Sequence, residues 1–178
     1  AVVVSSYFLD AGNSTAREMV SEKARLLGAI RLPNTAFKAN ALTEVTTDIV
    51  FLQKLGEGEE ADRSWVNVGT INDDATGEDI PLNQYYLNNP HMLLGRMALE
   101  GTQYRNGQPA LLPIEGQDLP VALAKAIQQL PSGVFQDRGK VEEAPRIDEQ
   151  VDVPDNVKVG AYFVAPSGRI ARRVPDLL

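Results

Sequence analysis

Cysteine is absent from the 178 residues, and histidine occurs once, at His91. Disulfides and thiolate-bound metals are therefore excluded, and a single imidazole is too little for a histidine-built metal site. No apolar run approaches the roughly 18–20 residues that a membrane-spanning helix needs, so no membrane partner is expected. No basic, apolar, small-residue leader stands at the start, which leaves the cytoplasm as the default compartment. The first residue is Ala1, already inside the apolar run Ala1-Val2-Val3-Val4. The expectation from that start is a chain cut out of something longer.

Positive charge is the next shortage. Lys and Arg number 17 against 24 Asp and Glu, for a net charge of −7. The deficit is uneven: residues 1–54 hold six cations and five carboxylates, whereas the remainder holds eleven and nineteen, a net of −8. Phosphate neutralisation supplies most non-specific affinity for DNA, so a chain this acidic is a poor stand-alone duplex binder.

The stretch Leu27–Lys54 organises what is present. Ala29–Leu32 is a short apolar strand closed by Pro33, and residues 45–53 form a second, stronger one. There Val45, Ile49 and Phe51 lie on one alternation phase and Val50 and Leu52 on the other, a pattern for a sheet covered on both faces. Upstream, Ala1–Phe8 reads as a strand. A helix over 14–27 is predicted from Asn13-Ser14-Thr15, from the capping-box spacing of Thr15 and Glu18, and from an apolar face of Ala16, Met19, Val20, Ala24 and Leu27, with Gly28 as its terminator. Strand, helix and strand with short joints make a βαβ unit.

Beyond Lys54 the spacing predicts an acidic loop, a short strand at Trp65–Val68, and a helix opened by Pro81 that buries Leu82, Tyr85 and Tyr86. Next come a hairpin turning at 105–108 between Thr102–Tyr104 and Ala110–Ile114, and a helix capped by Asp118 with a Val121, Ala124 and Ile127 stripe. Residues 136–156 are charged, contain Pro145 and Pro154, and read as a linker. A β-hairpin turning near Gly168 closes the chain. The expected organisation is 1–55, 56–135, the linker 136–156, and the hairpin 157–178.

The same central stretch carries a resemblance. Leu32-Pro33, Phe37, Thr43, Val45, Thr46-Thr47-Asp48-Ile49, Phe51-Leu52 and Lys54 resemble the last part of the catalytic domain of adenine-N6 DNA methyltransferases. The pattern is similar to those in large phage- and plasmid-type proteins that join a methylase to a helicase, and in modification subunits of type I restriction systems. Asn83–Tyr86 and Pro90–Gly95 resemble the next segment downstream in the helicase-linked proteins. The resemblance implies the fold class α/β, a partial Rossmann-like sheet of strands 1–8, 29–32 and 45–53 backed by helix 14–27, followed by an irregular α+β extension. In that family the last strand runs antiparallel between its neighbours.

It also implies site residues. Phe37, on the loop before the last strand, would stack on an adenine flipped out of the duplex, replacing part of the stacking the base loses. On the residues alone, Phe37 is equally a loop aromatic packed on the domain edge. The hydroxyls of Thr43, Thr46 and Thr47 would line a base pocket or meet a phosphate, although threonine is also simply a good strand residue. Lys38 and Arg31 are placed to touch backbone phosphate, or are surface cations without a special role. Glu44 and Asp48, roughly 13 Å apart on a strand, are too distant to work as an acid–base pair and read as solvated or salt-bridged. His91 reads as structural.

The family's Asn/Asp-Pro-Pro-Tyr/Phe tetrad is missing: Asn89-Pro90-His91 lacks the second proline and the aromatic. The glycine-rich turn that receives S-adenosylmethionine is missing too, since Gly56-Glu57-Gly58 sits in an acidic loop. The chain is therefore expected to hold no cofactor and to be inactive alone. S-adenosylmethionine is implied only for an intact parent, DNA is contacted through that parent, and the missing N-terminal half or a homodimer partner covers strand 1–8. The rival expectation is a non-catalytic interaction or scaffolding module built on a methylase-like sheet.

Overall fold

The computed structural model describes residues 1–41, 43–101, 107–134 and 153–174, the side chains of 40 and 41 excepted. The chain divides into two compact units, 1–134 and 135–178. The architecture is mixed α/β, with small antiparallel sheets and few helices. The segments 1–55 and 56–134 share one unit and one core, in which Leu9, Ile30 and Val50 pack with Trp65, Ile80, Leu82, Tyr86 and Leu111.

The first sheet has three strands, β1 (Val2–Ser5), β2 (Ala24–Leu32) and β3 (Thr47–Lys54), in the order β1-β3-β2. β3 is antiparallel to both neighbours. β1 and β2 thus run the same way without touching, so the unit they bracket does not build a paired parallel sheet. Every residue of β3 except Lys54 is at least half-buried, as apolar residues on both alternation phases require.

Three boundaries differ from the sequence expectation. β1 ends at Ser5, because Tyr7–Asp10 turn into a short helix, α1, whose Leu9 is fully buried. The next helix, α2, covers only Thr15–Ser21. Ser14 Oγ donates to Glu18 Oε1 at 2.6 Å, and Asn13 Oδ1 accepts from the Thr15 amide, so the cap is built one residue earlier than the Thr15–Glu18 spacing predicts. The face of α2 turned inward carries Arg17 and Ser21, whereas Met19 is exposed. Residues 24–28, expected to end the helix, instead pair with β3, and Gly28 follows a bulge between Leu26 and Gly28. Strand pairing overrides a helical spacing that only a few apolar residues supported.

The remainder of this unit consists of two hairpins and short helical segments. A 3₁₀ turn at Ser64–Val66 replaces the expected strand start and buries Trp65. β4 (Val68–Asn72) pairs with β5 (Asp79–Asn83), so Pro81 sits in a strand rather than opening a helix. The helix begins after it, as a short segment at Gln84–Asn88 capped by Asn83, whose side chain accepts from the Tyr85 amide. β6 (Arg96–Gly101) pairs with β7 (Gln108–Leu112); the expected strand Thr102–Tyr104 and part of its turn lie outside the described residues. The last helix of the unit, Leu119–Gln128, is capped as expected by Asp118, whose carboxylate accepts from the Val121 amide at 3.0 Å. Its buried side carries Ala126, with Leu119, Ala122 and Leu123 partly buried, while Val121 and Ile127 of the predicted stripe are half-exposed.

In the second unit, β8 (Tyr162–Val164) and β9 (Ile170–Arg172) form the closing hairpin, with Gly168 at φ +79° in its turn. The linker expected at 136–156 lies mostly outside the described residues. Among the described residues, no helix is long and apolar enough to cross a membrane.

Candidate functional site

The loop from Pro33 to Thr46 joins β2 to β3 and holds Phe37, Lys38, Thr43 and Thr46. It is fixed at both ends to one residue of β7. The Asn34 amide donates to the Leu111 carbonyl at 2.8 Å, and the Leu111 amide donates to Thr46 Oγ1 at 2.9 Å. The Thr46 carbonyl also accepts from the Ser6 amide at 3.2 Å. Thr46 is buried, and its hydroxyl oxygen is already engaged by the fold.

Phe37 sits in the turn before a short helix at Lys38–Ala41 and is half-buried, one side packed against the core. Lys38 is exposed and paired with Glu44 across the loop. Thr43 is half-buried. Beside this loop lies a small cleft of about 30 Å³, lined by Ser6, Asn34, Glu44, Thr46, Gln108 and Ala110 among others. That volume holds about one water molecule. Asn34 Oδ1, on its wall, is a buried acceptor with no hydrogen-bond partner, so the cleft is suited to a single N–H or O–H donor. Of the expected site residues only Thr46 lines it; Phe37, Lys38 and Thr43 do not.

A second constellation went unrecognised in the sequence. Arg31, read as a phosphate contact or a surface cation, is fully buried. Its cross-strand partner in β3 is Asp48, also fully buried and bound through both oxygens: Nε to Oδ1 at 2.7 Å and Nη2 to Oδ2 at 2.9 Å. Nη1 reaches Asp10 Oδ2 at 2.6 Å. The Tyr86 hydroxyl donates to Asp48 Oδ1 at 2.8 Å, and its ring centroid lies 4.5 Å from the Arg31 guanidinium. Asp10 Oδ1 accepts from the Asn83 amide, and the Asn83 side chain donates to the Leu9 and Trp65 carbonyls. Arg17 donates to the carbonyls of Val66, Phe8 and Ala11. Asp48 is thus salt-bridged, as one of its two expected readings had it, and Arg31 is not available to a phosphate.

This network joins the first sheet to the segment 65–97. Burial alone would lower the Arg31 pKa, but the Asp48 and Asp10 carboxylates more than reverse it and hold it well above its ordinary range. Burial raises the Asp10 carboxyl, with Arg31 opposing. Burial, reinforced by Asp48, raises the Tyr86 phenol well above 10.0. With so little solvent access, the network is a structural clamp rather than reacting machinery.

The Tyr86 shift fixes a pH dependence. A phenol whose folded pKa lies above its unfolded value contributes stability that is fully present below pH 10.0 and is lost as pH rises through the folded value. In an alkaline titration, one step of phenolate absorbance is expected to coincide with loss of near-ultraviolet circular dichroism, and to vanish in Tyr86→Phe. A Tyr86 step preceding unfolding would contradict its burial.

His91 is exposed on the rim of an open groove of about 410 Å³ with Leu93, Lys125 and Gln129. Among the described residues, no group of three or more His, Asp or Glu side chains is placed to hold a metal ion. Comparison with protein families, with curated proteins and with solved structures finds no match to this chain.

Proposed function

We propose that this chain is the target-base half of an adenine-N6 DNA methyltransferase domain, inactive alone, whose parent uses S-adenosylmethionine. The observation that carries the reading is the arrangement around the loop 33–46. A last strand, β3, runs antiparallel between two like-directed strands, and the loop entering it carries a half-buried aromatic, Phe37, beside a lysine. That order is the one the resemblance implies for the end of a partial Rossmann-like sheet. Both ends of the loop are anchored to Leu111, which supports Phe37 as a positioned platform for an extruded base.

The residues present do not fit the cofactor. β1 leads into the short helix Tyr7–Asp10, and on this reading S-adenosylmethionine belongs to the parent and not to this chain. β1 is an edge strand in the order β1-β3-β2, with Val2 and Val3 at least half-exposed; this supports the missing half, or a second copy, as its cover.

In the parent protein, Phe37→Ala is expected to lower DNA methylation about 10- to 100-fold, the range of a lost base–aromatic stack, with S-adenosylmethionine affinity unchanged. Cofactor binding lost in parallel would overturn the assigned role. The alternative, a non-catalytic assembly module, is favoured by the commitment of the Thr46 hydroxyl and the Asn34 backbone amide to internal contacts. A coding sequence upstream of Ala1 without a glycine-rich turn and an Asn-Pro-Pro-aromatic tetrad would establish it.

A further inference from the structure

Asn34, the second residue of the loop 33–46, is only 9% exposed. Its backbone amide is spent on the Leu111 carbonyl, but its side-chain Oδ1 is buried with no hydrogen-bond partner from the chain. A carboxamide oxygen carries two acceptor lone pairs, and native chains rarely bury such an atom unpaired.

The cleft that Asn34 lines measures about 30 Å³, the share of one molecule in liquid water. Its other walls come from separate parts of the chain: Ser6 after β1, Glu44 and Thr46 at the far end of the loop, and Gln108 and Ala110 of β7. Ser6, Glu44, Thr46 and Gln108 all carry side-chain oxygens. The Thr46 hydroxyl oxygen already accepts from the Leu111 amide, so its own proton is what it has left to give. The size excludes a ring or a chain of several atoms, and the unpaired oxygen asks for a donor.

We infer that this cleft binds one water-sized hydrogen-bond donor, a water molecule or an ammonium ion, which donates to Asn34 Oδ1 and ties Ser6, the loop and β7 together. The contacts with Leu111 hold the loop through the Asn34 backbone and the Thr46 hydroxyl; the bound donor holds it through the Asn34 side chain as well. The loop carrying Phe37 is then fixed from three sides of one small site. The inference stands on the cleft alone and does not depend on the methyltransferase reading.

Nuclear Overhauser spectra between solvent and amide protons of the full chain test it, recorded in the laboratory and rotating frames at mildly acidic pH. Sodium, ammonium and tetramethylammonium chloride are compared at equal ionic strength. A bound water predicts cross-peaks from water to the Asn34 side-chain amide and the Ala110 amide, of opposite sign in the two frames and the same in all three salts. A bound ammonium ion predicts that these cross-peaks move to the ammonium resonance, in ammonium chloride alone. Asn34→Leu, close in size but without an acceptor, is expected to abolish the Ala110 cross-peak, whereas relay through the Ser6 or Thr46 hydroxyl would survive that change. No such cross-peak in any salt, a cross-peak lost only in sodium chloride, or one that persists in folded Asn34→Leu would each overturn the proposal. Should Asn34→Leu fail to fold, the spectra of the unaltered chain decide it. Methylation by the parent does not enter, so this test and that of Phe37 fail independently.

Discussion

Replacing Arg31 by Met is expected to destabilise the folded chain by about 3–5 kcal/mol, the usual result of removing one partner of a buried ion pair. Asp48 would be left fully buried with the Tyr86 hydroxyl as its remaining side-chain donor, and Asp10 would lose its shortest contact. The loss is comparable to the whole stability of a marginal domain, about 5–15 kcal/mol. Removing both charges should behave differently. In Arg31→Met with Asp48→Leu the buried pair gives way to apolar packing, which is often neutral, so most of the loss should be recovered. Urea unfolding of the parent chain and the two variants at neutral pH measures both effects. A small loss in the single variant, or none of it restored in the double variant, would show that the clamp is not what holds the sheet to segment 65–97.

That clamp marks the limit of what the sequence made legible. The apolar alternation of 45–53 located β3, the turn chemistry near Gly168 located the last hairpin, and Asp118 located its helix, because each signal is local. Arg31 and Asp48 were visible only as charged residues inside strands. Nothing local says that they face each other across a ladder, or that Tyr86 closes over them from 38 residues further on. The same holds for Arg17 on α2, which lies outside the apolar spacing of that segment and turns inward because three carbonyls accept from it. The loop 33–46 was found for its aromatic and its resemblance, but the role of Asn34 and Thr46 in fixing it to Leu111 depends on a strand some 65 residues away. Long-range partners determined which polar residues turned inward.

Gly95→Ala is the second large effect expected, near ~3 kcal/mol, at the upper end of what overpacking usually costs. A Cβ added there would stand 2.3 Å from the Leu112 carbonyl oxygen and 2.8 Å from Leu111 Cγ. The first of these is backbone in β7 and cannot swing aside. Two other glycine changes calibrate the result. At Gly28 the obstruction is mainly the Leu130 side chain, at 2.4 Å, which can move; at Gly12 nothing lies within 4 Å. The expected order of loss is therefore Gly95→Ala above Gly28→Ala, with Gly12→Ala within about 0.5 kcal/mol of the parent chain. Position matters as well as size. The residue just before Gly95 donates its amide to the Arg31 carbonyl, and the strand it crowds carries Leu111, which holds both ends of the loop 33–46. Displacing β7 should then loosen that loop, so hydrogen exchange at the Asn34 and Leu111 amides is expected to accelerate in Gly95→Ala more than in Gly28→Ala. Equal exchange in the two variants would mean that the loop carrying Phe37 is held by something other than β7.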